Sequence, residues 1–173
     1  MSKIIAAAFL FFLTLNTQTA MSENELKPGD KIPHFVMNDE SHNPVDISSF
    51  TGKYMVLYFY PKDDTPGCTK EACSFRDSYD VLVDAGAVVF GVSSDNPDSH
   101  FRFKQKYHLP FSLLSDTDGE LRKLFGVPTN MFGLIPGRVT YIFNPEGKLI
   151  DVFDSQFSPE KHVAEALKII KGK

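Results

Sequence analysis

The chain has no tryptophan and only two cysteines in 173 residues. Two thiols allow at most one structural disulfide. They stand five positions apart, at Cys68 and Cys73, so the C-x-x-C of dithiol-exchange enzymes is absent. No run of Lys or Arg occurs, and the formal charge is −4, which argues against a nucleic-acid footprint. Two thiolates do not complete a zinc site, and His34, His42 and His100 show no ligand spacing to one another. The five histidines and Arg76, Arg102 and Arg122 read as surface or loop residues. There is no repeat, no low-complexity tract and no second hydrophobic core. At 42% hydrophobic, the chain has material for one well-buried domain. What is abundant is phenylalanine, with sixteen copies, and these read as core filler.

Residues 1–20 stand apart from that domain. One lysine, Lys3, precedes an apolar run from Ile4 to Leu15 that is short for a membrane span, and small and polar residues follow. This is the build of a secretory signal, with an uncleaved anchor as the alternative; Met21 opens a chain that would otherwise start in the cytoplasm. The remainder, 21–173, carries 17 basic and 22 acidic side chains once Lys3 is set aside, a net −5.

From Met21 onward the periodicities give an ordered series of elements. "LKPGDKIPHFVMND" and "NPVDISSF" predict an N-terminal β-hairpin or a pair of small strands. "YMVLYFY", 54–60, is the continuous apolar run of a strand covered on both faces. "TKEACSFRDSYDVLVDAG" has helical spacing, with Ala72, Phe75, Tyr79 and Leu82 or Val83 on one face and Gly86 as a stop. "AVVFGVS" and "FSLLSD" predict further strands, and "NPDSHFRFKQKYH" a helix opened by Asn and Pro. "DGELRKLFG" is a short helix, "RVTYIFN" and "KLIDVFD" form a hairpin around "PEG", and "SPEKHVAEALKII" closes the chain as an amphipathic helix capped by Ser158. The order implies an α/β domain, a mixed central sheet between helices on both faces.

Cys68 falls just after the first buried strand, at the start of a helix. Thr65 stands as its cap and Pro66 at its first position. Ligand sites of α/β sheets lie where strands end and helices begin. The unpaired first-turn amides and the helix dipole favour an anion, so they favour the nucleophilic thiolate. Gly67 permits a close approach to the backbone. In an intact helix, residues five apart are about 8.7 Å apart at Cα and about 140° around the axis. A disulfide tolerates about 7 Å. Either the segment is not helical, or Cys68 and Cys73 join only after the helix has partly unwound.

"FYPKDDTPGCTKEACSF" resembles the active-site segment of the peroxiredoxins, in particular the bacterioferritin comigratory protein, or Q-type, branch. The likeness extends through "LKPGDKIPHF", "FGVSSD", "SHFRFKQKYHLPFSLLSDTDGELRKLFGV" and "PGRVTYIFNPEGKLIDVF", covering residues 25–170. It implies a thioredoxin-like fold and thiol-based reduction of hydroperoxides without a cofactor or metal. By this resemblance Cys68 attacks the peroxide and becomes a sulfenic acid. Cys73 condenses with it to an intramolecular disulfide, and thioredoxin, glutaredoxin or a similar dithiol protein reduces that bond. Thr65 matches the threonine whose hydroxyl contacts thiolate and peroxide, Pro61 the proline that shields the thiolate, and Arg138 the arginine beside the sulfur. The resemblance also implies a monomer or weak dimer. Two other readings stand beside it: a copper-handling thioredoxin-like protein, with His162 on the last helix as the candidate ligand, and a redox sensor. The loop 126–137, with Met131, Phe132 and Leu134, is expected to border the pocket and affect which peroxide is preferred.

Overall fold

The computed structural model describes residues 26–130 and 135–172. Residues 1–20, read above as a targeting segment or anchor, and Met131, Phe132 and Leu134 of the loop lie outside the described residues.

A five-stranded sheet organises the fold. Its strands are β3 (Tyr54–Phe59), β4 (Ala87–Ser93), β5 (Ser112–Ser115), β8 (Val139–Phe143) and β9 (Leu149–Asp154), in the order β5-β4-β3-β8-β9. β3, β4 and β5 run parallel, whereas β8 pairs antiparallel with both β3 and β9. The sheet is therefore mixed, as expected. A separate hairpin of β1 (Val36–Asn38) and β2 (Pro44–Asp46) forms the predicted N-terminal ribbon. The loop 126–137 contributes a second small pair, β6 (Thr129–Asn130) with β7 (Ile135–Pro136).

β3 divides its side chains by parity, because successive residues of a strand point to opposite faces. Val56, Tyr58 and the following Tyr60 enter one core with Cys68, Ala72 and Phe75 of α1 (Pro66–Asp77). Phe103 of α3 (Pro97–Tyr107) and Val163, Ala166 and Ile170 of α5 (Pro159–Lys171) join that core. Met55, Leu57 and Phe59 enter the other core with Ile47 and with Leu121 of α4 (Glu120–Leu124). Both faces of the sheet are covered, which is why 54–60 carries no polar alternation. Phenylalanine fills both cores as predicted: Phe125 alone packs its ring against Phe35, Phe59, Tyr141 and Phe143. Among the described residues, Phe157 and Phe101 are exposed at the surface. This is the thioredoxin-like arrangement.

The helix expected over the cysteine segment divides. α1 stops at Ser78, whose φ of −106° and ψ of 5° leave helical geometry, and α2 (Tyr79–Asp84) follows. That turn settles the ambiguity at its end: Leu82 is buried and Val83 is exposed. A buried Leu contributes roughly 1.5–3 kcal/mol, enough to choose the orientation of so short a helix. Of two expected caps, one holds and one does not. Asn96 accepts from Ser99 N and caps α3 as its type predicts, but Ser158 stands before α5 without a side-chain cap bond.

Candidate active site

Both cysteines lie on α1, and both are free thiols. Cys68 is in the first turn and buried, at 1% exposure; Cys73 is half-buried, more than one turn farther along. The helix is intact over the whole interval, so the distance argument holds for this state and the two sulfurs are not joined in it.

Pro61, Lys62, Thr65, Cys68, Ile135, Pro136, Arg138 and Gln156 line a cleft of about 420 Å³. Four elements of sequence meet there: the loop after β3, the first turn of α1, the small β6–β7 pair, and the strand edges at Arg138 and Gln156. Four of the five sequence-predicted residues therefore share one cavity. Cys73 does not line it.

Arg138 immediately precedes β8 and is buried, at 3% exposure. Its Nη2 donates to the Cys68 sulfur at 3.4 Å, its Nη1 donates to Glu71, and its Nε donates to the Gln156 carbonyl at 3.3 Å. One planar fork thus serves three acceptors, which a lysine could not do. Desolvation opposes its charge, but Glu71 and the Cys68 sulfur more than offset that, and the guanidinium is held above its ordinary range. A Cβ added at Gly67 would lie 3.2 Å from Arg138 Nη2. The close approach that glycine permits here is used by the protein's own arginine.

Thr65 occupies the cap position of α1, but its hydroxyl makes no cap bond. It donates instead to Lys62 O at 3.0 Å, which turns the oxygen's lone pairs away from the helix amides and fixes the side chain at the cleft. The first helical bond runs from Thr69 N to Thr65 O at 2.9 Å. The amides of Gly67 and Cys68 precede it and have no acceptor within the helix.

Glu71 escaped the sequence reading. It is fully buried beside Arg138, on the α1 face that also carries Cys68, Ala72 and Phe75. Its position was detectable as an acidic residue inside an apolar i, i+3, i+4, i+7 stripe. Burial pushes its carboxyl up to about 8, against the opposing pull of Arg138. Its Oε1 finds no hydrogen-bond donor among the described residues and lies 3.6 Å from His162 Nδ1.

The histidine and arginine expectations need correction. His34, His42 and His108 are exposed, but His100 and His162 are fully buried. His162 Nε2 donates to Ser155 O at 3.0 Å, and Nδ1 shares a hydrogen bond with the Thr140 hydroxyl at 2.8 Å. Burial lowers the ring's pKa to about 4, which favours the neutral form with Nδ1 as the acceptor. A lone pair on Nδ1 facing Glu71 is compatible with a protonated carboxyl there. With both ring nitrogens engaged in the core, His162 is not placed to ligate copper. Arg122 is not a free surface charge either: its Nε pairs with fully buried Asp116 at 3.3 Å. Arg76 donates to Tyr107 O at 2.8 Å, whereas Arg102 is exposed as expected.

Residues 28–152 match the AhpC/TSA family. The chloroplastic peroxiredoxin Q of Sedum lineare is 50% identical over 144 residues, which span 83% of this chain and 77% of the relative. The crystal structure of peroxidoxin BcpB from Mycobacterium tuberculosis superposes with a TM-score of 0.79 at 32% identity, over 86% of this chain and 98% of its own. The bacterioferritin comigratory protein of Xanthomonas campestris, studied for its alkyl peroxide reduction activity, gives 0.70 at 31% identity, over 78% and 90%. The chain belongs to the AhpC/TSA family, as a peroxiredoxin of the Q type.

Proposed function

We propose that the protein is a thiol peroxidase that reduces hydrogen peroxide and organic hydroperoxides through Cys68. The observation that carries this reading is the Arg138 Nη2 contact to the Cys68 sulfur, at 3.4 Å, at the floor of a cleft. A guanidinium beside the sulfur and a position in the first turn of a helix both favour the nucleophilic, anionic form of a thiol. In the step proposed, the thiolate attacks the distal peroxide oxygen, the O–O bond breaks, and the leaving hydroxide or alkoxide takes a proton from water. Cys68 is oxidised to the sulfenic acid and the peroxide is reduced to water or an alcohol. Thr65 and Arg138 present hydrogen-bonding groups to the peroxide oxygens, and Pro61 walls the cleft against bulk water.

Cys73 then condenses with the sulfenic acid, releasing water and forming the disulfide. Because the two residues are on one intact helix, the first turns of α1 must open for this step. A dithiol protein of the thioredoxin or glutaredoxin type returns the disulfide to two thiols. Residues 1–20 serve, in this reading, to direct the protein out of the compartment of synthesis, in line with curated relatives named chloroplastic. The donor is then one resident in the destination compartment.

Turnover with hydroperoxide and a reduced dithiol protein tests the assignment. Wild-type protein cycles, Cys68→Ser does not react, and Cys73→Ser consumes one equivalent and stops at the sulfenic acid. Full turnover by Cys68→Ser would remove the reading. A wild-type protein that oxidises quickly but is not re-reduced at a useful rate by any dithiol donor would favour the sensor.

A further inference from the structure

The segment that carries Pro61, Lys62 and Thr65 to the cleft is fastened from behind by a residue the chemistry above does not use. Asp63 turns inward from this loop and is buried, at 7% exposure. Its Oδ1 accepts from the Tyr60 hydroxyl at 2.7 Å, and its Oδ2 accepts from the Ser99 hydroxyl at 2.9 Å. His100 Nδ1 lies 2.9 Å from Oδ2 and 3.3 Å from the same Tyr60 hydroxyl. The other ring nitrogen, Nε2, lies 3.2 Å from the Leu114 carbonyl. A carbonyl can only accept, so Nε2 carries a proton. Asp63 also faces two hydroxyls, and an ionised carboxylate there accepts from both and from Nδ1, which would then carry a proton too.

We propose that His100 is a positioning residue that holds Asp63 as an ion pair. Its imidazolium, fully buried on α3, holds the Asp63 carboxylate and thereby fixes the loop that presents Thr65 and Pro61 to the substrate. A second carboxylate stands close by: Asp95 Oδ2 accepts from the Asp63 amide at 2.8 Å and from the Ser93 hydroxyl at 2.7 Å. The imidazolium is the counter-charge to this acidic pocket, and leaving Asp63 buried without it would be costly. The next residue extends the attachment. Asp64 is left-handed, at φ 61°, and reaches Lys106 Nζ and the Tyr107 hydroxyl, both on α3. The loop between β3 and α1 is thus anchored to α3 by two successive aspartates, one buried and one exposed. The inference rests on the peroxidase reading of Cys68.

Histidine ring nitrogen resonances of the reduced full chain at mildly alkaline pH test the charge directly. The expected result is two protonated nitrogens on one histidine, absent in the His100→Asn variant, while the exposed rings are neutral. One unprotonated nitrogen on His100 would overturn the proposal whatever the kinetics. The rate of Cys68 oxidation by hydrogen peroxide tests the positioning role. His100→Leu is expected to fall at least about tenfold. His100→Asn, which keeps a donor at the Nδ1 position but not the charge, falls between wild type and His100→Leu. Asp63→Asn should cost little further in the His100→Leu background, because the two act as a unit. A His100→Leu protein oxidised at the wild-type rate would overturn the role. If wild-type Cys68 reacts no faster than free cysteine, the peroxidase reading itself fails; the ring resonances still decide the charge.

Discussion

Arg138 Nη2 donates to the Cys68 sulfur at 3.4 Å while Nη1 of the same guanidinium donates to Glu71. One buried cation therefore faces two groups able to carry negative charge. Which of them is ionised decides how much of that cation the sulfur receives.

Removing the cation tests this arrangement most simply. A hydrogen bond to a charged group contributes about 1.5–3 kcal/mol, which converts to roughly a 10- to 100-fold change in rate. Arg138→Met is expected to oxidise that much more slowly with hydrogen peroxide in single-turnover rapid quench followed by thiol counting. Arg138→Lys keeps the charge but cannot span sulfur, carboxyl and the Gln156 carbonyl, and falls between. Wild-type rates in Arg138→Met would show that the contact does not act on the reaction.

Glu71 gives a pH signature. Its carboxyl is raised to about 8 in the fold, so the folded chain holds a proton that the unfolded chain releases near 4.5. The stability it contributes is complete below about 4.5 and is lost as pH climbs to about 8. His162 runs the other way: its pKa is lowered to about 4 from 6.5, so its contribution is lost as pH falls through that window. The two slopes oppose each other below 6.5, and above it Glu71 acts alone. Denaturant midpoints should therefore fall between pH 6.5 and 8, and Glu71→Gln should remove that fall. The same variant should keep its oxidation rate above pH 8, where the ionised wild-type carboxylate begins to compete for Arg138. Parallel pH profiles for the two proteins would contradict this.

Gly67 separates stability from activity. Alanine is favoured over glycine within helices by roughly 0.5–1 kcal/mol, so Gly67→Ala should unfold at the same or a higher temperature. Its Cβ would meet Arg138 Nη2 at 3.2 Å, so the guanidinium must give by a few tenths of an ångström beside the sulfur. The expected outcome is a several-fold slower oxidation in a protein that is no less stable. Loss of both, or of neither, would speak against the crowding argument.

Much of this site was legible in the chain because its signals are local. The strand ending at Phe59, Thr65 and Pro66 at a helix start, and Cys68 one turn in are consecutive in sequence. What escaped was the pairing of buried charges across the fold. Glu71 meets a partner 67 positions away, and His100 meets one 37 positions away. No local period announces such a partner, so a histidine in a polar helical stretch reads as solvated. The break at Ser78 was equally hidden, since neither Pro nor Gly marks it.

Disulfide formation should leave a structural trace. Peroxide-treated protein is expected to lose helical signal and to exchange the amides of residues 69–73 faster than the reduced form, because α1 must open to join its cysteines. Peroxide-treated Cys73→Ser should retain the helix. An oxidised, intramolecularly bridged protein whose α1 amides stay as protected as before would contradict the need for unwinding.

The central claim is that this fold makes Cys68 an activated nucleophile resolved by Cys73. Stopped-flow mixing of the fully reduced protein with stoichiometric hydrogen peroxide, followed by intact mass, tests it most directly. The account predicts a rate orders of magnitude above that of free cysteine and a product lighter by two hydrogens. A rate like that of free cysteine would contradict it.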